Sequence, residues 1–145
     1  LTFALALLAS QSGAVQAQTV QRINPDGHFT PKTYSHIAKV GNLLFIAGQV
    51  GFDTQGKLVG PTMREQYEQT LKNLKTVLAS QGATFNHVAK ITVFVTSIDE
   101  FRAPELQEIR ARYLGDVKPA STLVQVVRLA EPDLRIEIEA IAALP

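Results

Sequence analysis

The sequence predicts an α+β domain: one mixed, mostly antiparallel sheet with two helices on one of its faces. Three observations lead there. Alternating, β-rich segments cluster at both ends of the 145-residue chain, and two helical stretches lie between them, giving the order ββ(β)–α–β–α–β–β. No linker, internal repeat or low-complexity tract divides the chain, and its length suits one domain with a real core. One strand, over residues 43–50, is apolar on both faces, so it belongs in the middle of the sheet.

The N-terminus differs in kind from the rest. Leu1 to Ala9 is an apolar run, and Val15-Gln16-Ala17 has the small residues of a signal-peptidase site. The run is too short to span a bilayer and fits the apolar region of an export signal, although no basic residues precede it. Residues 1–17 are therefore expected to be a partial secretory signal, and 18–145 the domain. On that expectation the domain is exported, to a bacterial periplasm, and has no membrane attachment once cut. Without a signal it stays in the cytoplasm. A domain without cysteine is indifferent to an oxidising compartment.

Along the domain, Thr19–Ile23 reads as a first strand. Pro25-Asp26-Gly27 makes a turn and Pro31 a second break. Tyr34–Val40 is expected as a second strand, closed by Gly41-Asn42 before "LLFIAGQV". Thr62 and Glu65 form a capping box after Pro61, and Met63, Tyr67, Leu71, Leu74 and Leu78 follow at helical spacing until Gly82 stops the helix as its C′ residue. That stripe is core packing against a sheet. In "HVAKITVFVTS", Ile91, Val93 and Val95 share one strand face and Phe94 lies on the other. A second helix is expected from Phe101 to Leu114, with Pro104 near its start and Gly115 at its end. "ASTLVQVVRL" and "RIEIEAIAAL" are the last two strands. In the latter, Ile136, Ile138, Ala140 and Ala142 share one face, and Arg135, Glu137 and Glu139 the other. Two helices cannot cover both faces of such a sheet, so its other face predicts an oligomer whose sheets pack together.

Composition excludes several classes of function. The net charge is +1 with both signs interspersed, so no basic stripe is present for a nucleic-acid backbone. The absence of cysteine removes disulfides, thiolate catalysis and Cys-ligated zinc. His28, His36 and His87 lie far apart in sequence without metal-ligand spacing, so no dedicated metal site is expected, the alternative being that the three scattered ligands converge in the fold. His36, two residues after Tyr34, is expected as a surface strand histidine, with a cleft proton carrier as the sharper alternative. Gln49 is expected to be a hydrogen-bonding structural residue.

Three segments, "GNLLFIAGQV", "TLKNLKTVLASQGATFNHVAKITVFVTSIDEF" and "RIEIEAIA", occur in an order and spacing that resembles the RidA (YjgF) family of enamine/imine deaminases. The resemblance runs from about Thr19 to Ala143. It implies a chorismate-mutase-like fold and a homotrimer with ligand clefts between subunits. It also implies cofactor-free hydrolysis of reactive 2-imino acids to 2-keto acids and ammonia. Such chemistry needs a cation for the substrate carboxylate, a carboxyl group to position water and move protons, and backbone donors that fix the imine plane. By the resemblance, Tyr34 falls at the cleft tyrosine, Gly48 at the glycine whose backbone approaches the ligand, and Glu137 at the carboxylate that handles water.

The departures from the family pattern matter as much. "PASTLVQV" is similar to the family's "PARSCVEV", so Ser121 stands where the substrate-binding arginine would be. Leu123 replaces the cysteine of that motif, and Ala47 the serine of "SGQ". Glu105, at the start of the second helix, stands where the cleft asparagine would be. Loss of a charge-assisted pair in a cleft costs a few kcal/mol, or about two or more decades in binding or rate. A cleft that has lost a positive charge and gained a negative one should repel a 2-imino acid, unless Arg128, Arg135 or a neighbour's arginine swings in. The residues thus point to hydrolysis of a neutral or cationic imine. The alternatives are a small-molecule-binding trimer without fast chemistry and, last, an endoribonuclease, for which paired catalytic histidines are lacking.

Overall fold

The computed structural model describes residues 18–145, and the expected signal segment lies outside the described residues. Among the described residues six strands form one sheet: β1 (Val20–Ile23), β2 (Ile37–Val40), β3 (Leu43–Gln49), β4 (Val88–Val95), β5 (Ala120–Gln125) and β6 (Ile136–Ala143). Their spatial order is β1-β2-β3-β6-β4-β5, and only the β4–β5 pair is parallel. A parallel pair needs a crossover, which here runs through a one-turn helix α2 (Ile98–Phe101) and α3 (Pro104–Leu114). The long helix α1 (Met63–Ala79) connects β3 to β4. The α+β sheet with its main helices on one face is as the sequence predicts.

Burial explains why these residues form these layers. In β6, Ile136, Ile138, Ala140 and Ala142 are buried, and the residues between them are not. With Ile37, Leu44, Ile46, Val93 and Val95 they meet Tyr67, Leu71, Leu74 and Leu78 of α1 and Leu106 and Ile109 of α3 in one core. The other sheet face stays open in the single chain: Phe45 is 43% exposed, Leu43 38% and Val124 37%. Both faces of β3 are thus apolar, but only one is covered.

The Thr62/Glu65 capping box forms as expected, with Thr62 Oγ1 accepting from the Glu65 amide at 3.2 Å and Glu65 Oε2 from the Thr62 amide at 3.1 Å. Several boundaries differ. Ser80 caps α1, so Gly82, in a left-handed conformation at φ 69°, sits one position beyond C′. The second helix is split, because Pro104 cannot continue the turn that begins at Ile98 and so starts α3 instead. β2 begins at Ile37, leaving Tyr34 and His36 before the strand. β5 ends at Gln125, and Val127 stands fully in solvent.

Candidate functional site

The site builds from the end of β3. Leu43–Ile46 pair in register with β6, but the register shifts between Ile46 and Gln49, leaving Ala47 and Gly48 as a bulge. On the other side the Ala47 amide continues the β2–β3 register, donating to the His36 carbonyl at 2.9 Å. Bulges re-aim side chains, and here the carboxylate of Glu137 lies directly against the Cα of Gly48. A Cβ at residue 48 would sit on top of that carboxylate, so only glycine fits. Tyr34, before β2, completes the corner, half exposed and within electrostatic reach of Glu137. Burial and, second, the neighbouring Glu139 push the Glu137 carboxyl above its ordinary range. Burial and then Glu137 push the Tyr34 phenol up, so it keeps its proton at neutral pH.

Beneath this corner lies a run of hydrogen bonds. The amide nitrogen of Gln49 donates to the Ala47 carbonyl at 2.9 Å and reaches Nδ1 of His36 at 3.1 Å. An amide nitrogen is only a donor, so Nδ1 of His36 accepts and its Nε2–H donates to the Phe29 carbonyl at 2.6 Å. Nε2 of His28 donates in turn to Oε1 of Gln49 at 3.2 Å. His36 is 4% exposed, and burial, its largest influence, lowers its pKa; the bond to Phe29 opposes this, and His28 adds to it. The expectation of a surface strand histidine is therefore corrected: the chain turns His36 inward before β2 begins, and Gln49 and Phe29 occupy both ring nitrogens. Gln49 is the structural hydrogen-bonding residue expected. A cavity of about 20 Å³, room for one water, is lined by Tyr34, His36, Gly48, Gln49 and Asn73 among others.

A single chain does not bring Ser121 and Glu105 to this corner. Ser121 lies on the edge strand β5, paired with Ile91, whereas Glu137 pairs with Phe94 two strands in. Strand spacing and rise put them on the order of 14 Å apart. They also face opposite ways: Ser121 opens onto an apolar cavity of about 160 Å³ between sheet and helices, with Tyr67, Phe101, Arg110 and Leu123. Glu105 lines a separate groove of about 380 Å³ with Arg64, Glu100 and Arg135. Arg135 does not share the face of Glu137: it precedes β6, its Nε donates to the Pro61 carbonyl at 2.5 Å, and Glu100 lies 3.9 Å from its guanidinium. Glu139 does share that face and lines a shallow depression with Phe45, Lys90 and Thr92.

Sequence reasoning missed the buried amides of α1. Gln66 donates to the carbonyls of Gly60 and Asp133 and accepts from the Arg135 amide, while Asn73 donates to the carbonyls of Val50 and Phe52. Both fall on the apolar stripe of the helix, and a polar residue in such a stripe was the available signal. They hold the loop after Gln49 in place.

A sheet with helices on one face, an open apolar face on the other and a half-buried carboxyl group seated on a bulge glycine defines a small α+β domain. The chain belongs to the RidA/YjgF family: the family model described as Endoribonuclease L-PSP matches residues 28–144. It is 42% identical over 110 residues to a RutC family protein of Pyrococcus horikoshii, covering 75% of this chain and 85% of that one. It is 36% identical over 110 residues to the human 2-iminobutanoate/2-iminopropanoate deaminase, covering 75% of this chain and 78% of that one. The crystal structure of RidA from an Antarctic Psychrobacter superposes with a TM-score of 0.77 at 33% identity, covering 86% of this chain and 99% of that one.

Proposed function

We propose that this RidA-like protein hydrolyses a reactive enamine or imine, with Glu137 as the group that positions water and transfers protons. The observation that carries this reading is the seating of Glu137 on Gly48, where burial and Glu139 raise its pKa towards the range useful for proton transfer near neutral pH. Relatives named as imine deaminases support it. Tyr34 and the Gly48 backbone form the wall against which a planar C=N group lies. Ser121 and Glu105 enter from a neighbouring subunit of a homotrimer, whose contacts use the open face around Phe45. A cleft with Glu105 and Ser121 selects a neutral or cationic imine over a 2-imino acid. No cofactor takes part, and the N-terminal segment directs export.

The test compares wild type, Ser121→Arg and Glu137→Gln on 2-iminobutanoate generated in situ and on an imine lacking a carboxylate. The expected result is turnover of the second substrate, lost in Glu137→Gln, with 2-iminobutanoate turned over only by Ser121→Arg. Fast wild-type hydrolysis of 2-iminobutanoate would overturn the selectivity. A second reading, a binding protein without fast chemistry, is favoured by the engagement of the Arg135 guanidinium with Pro61 and Glu100, away from the corner at Gly48. It is the outcome if every variant is silent on both substrates while the wild type still binds a small imine analogue. Sedimentation of the purified protein checks the trimer, and N-terminal sequencing of the secreted product checks the cut after Ala17.

A further inference from the structure

We propose that His36, acting through Gln49, is a positioning residue for Glu137, holding the Ala47–Gly48 bulge in its site geometry only while its own ring is neutral. The inference rests on Glu137 being the group that handles water.

The side chain of Gln49 folds back to the Ala47 carbonyl, so one residue bridges the peptide on either side of Gly48. Gly48 in turn is the surface on which the Glu137 carboxylate rests. The orientation of the Gln49 amide is therefore coupled to the place of the catalytic carboxylate. His36 sets that orientation. Its backbone amide is held by Asn24 Oδ1 at 2.9 Å, its carbonyl by the Ala47 amide at 2.9 Å, and its ring by Phe29. Only Nδ1 is left, and it accepts from Gln49.

A proton added to His36 goes to Nδ1, which then meets the amide N–H of Gln49 donor to donor. Turning the amide over does not relieve this, because Oε1 would then face the Ala47 carbonyl and the amide nitrogen the Nε2–H of His28. Protonation therefore breaks the bridge over Gly48. The groups facing His36 do not hold the cation in place: His28 lies 4.5 Å away ring to ring, Tyr34 presents its ring edge-on at 5.9 Å, and α1 contributes the neutral Asn73 to the same cavity. Asp53 is the one carboxylate among the residues lining it, and it accepts instead from the amides of Gln55 and Lys57. Nor is the run a proton wire, since an amide passes no proton at neutral pH. Its role is geometric.

The test follows the full chain by NMR through an acid titration, reading the His36 ring, the Gly48 amide and the Glu137 side-chain carboxyl carbon. In wild type the Gly48 amide should move with the ionisation of His36. His36→Asn places an oxygen where Nδ1 stands, so it accepts from Gln49 at every pH. It should keep Gly48 at its high-pH position and Glu137 titrating as in wild type. His36→Phe removes the acceptor and should place Gly48 at its low-pH position throughout. It should also lower kcat for imine hydrolysis by on the order of tenfold or more with little change in KM, and His36→Asn should restore it. A Gly48 amide indifferent to the His36 ionisation, or one that keeps that step in His36→Asn beyond the shift that follows the titration of Glu137 itself, overturns the proposal. Should His36→Phe fail to fold, those two measurements decide alone. Should no imine be turned over, the hydrolytic reading fails, while the NMR signals still decide the positioning role.

Discussion

The two ends of the sheet's polar chemistry differ sharply. At the end of β3, Glu137, Gly48, Gln49 and His36 are tied to one another by direct contacts within one chain. At the edge strand β5, Ser121 is exposed, and its strand has an unpaired side. On the proposed function, the acid–base half of the site is preorganised within one chain, and the half that would recognise the ligand depends on the proposed neighbouring subunit. Changes at the first place should act on chemistry and stability together, and changes at the second on ligand choice alone.

The sharpest way to break this contrast is Glu137→Gln. Removing the acid–base group should lower imine hydrolysis by about 10²–10⁴-fold, while Ser121→Ala should leave the rate on a neutral imine within a few fold. Stability should move in the other direction. Because the folded pKa of Glu137 is raised, its contribution is fully present below the ordinary value of 4.5 and is lost as pH rises through the folded value. Glu137→Gln has no such loss, so its stability relative to wild type should rise with pH across that window. Urea melts at pH 4 and pH 8 measure this. A variant that loses stability relative to wild type at the higher pH would mean that Glu137 holds an ion pair.

Next in size is Gly48→Ala. The added Cβ meets the Glu137 carboxylate and should cost about 1–3 kcal/mol, with hydrolysis falling in step. Ser121→Ala on the exposed edge should stay within about 0.5 kcal/mol. Equal costs at both places would dissolve the distinction between a built corner and an open edge.

A smaller effect separates the histidine from the carboxylate. The folded pKa of His36 is lowered from its ordinary 6.5, so the folded state binds fewer protons than the unfolded one. Its contribution to stability is complete above 6.5 and falls as pH drops towards the lowered folded value. His36→Asn should flatten that acid limb, and chemical denaturation between pH 5 and 7 reads it directly.

How far the sequence discloses all this follows from what each feature depends on. The capping box at Thr62, the stripe on α1 and the alternation in β6 depend on neighbours three, four or two residues away, so periodicity shows them. The resemblance of "AGQV" and "RIEIEAIA" to a family places Gly48 and Glu137 as candidates, and the structure sets them against each other. What remained hidden depends on contacts across the fold. His36 reads as a surface residue because its partners, Phe29 and Gln49, are reached only when the segment before β2 turns inward. Arg135 reads as a neighbour of Glu137 because the alternation of the sequence includes it, whereas Pro61 and Glu100 draw its guanidinium to another groove.

The smallest effect tests α1 as the rigid wall behind the corner. Thr70 is fully buried, and its hydroxyl is the one buried side-chain polar group without a hydrogen-bond partner among the described residues. Its neighbours on the same helix face, Gln66 and Asn73, use their amides fully to hold the loops at 60–61, 133–135 and 50–52. Thr70→Val keeps the shape and the β-branch but removes a desolvated hydroxyl, so it should stabilise the protein by about 1 kcal/mol. Hydrolysis should not change, because no site residue bonds to that hydroxyl. Asn73→Leu, by contrast, frees the Val50 and Phe52 carbonyls beside Gln49, and it should cost stability and rate together. If Thr70→Val instead lowers the rate as Asn73→Leu does, the wall is not rigid, and the corner at Gly48 depends on packing along the whole helix.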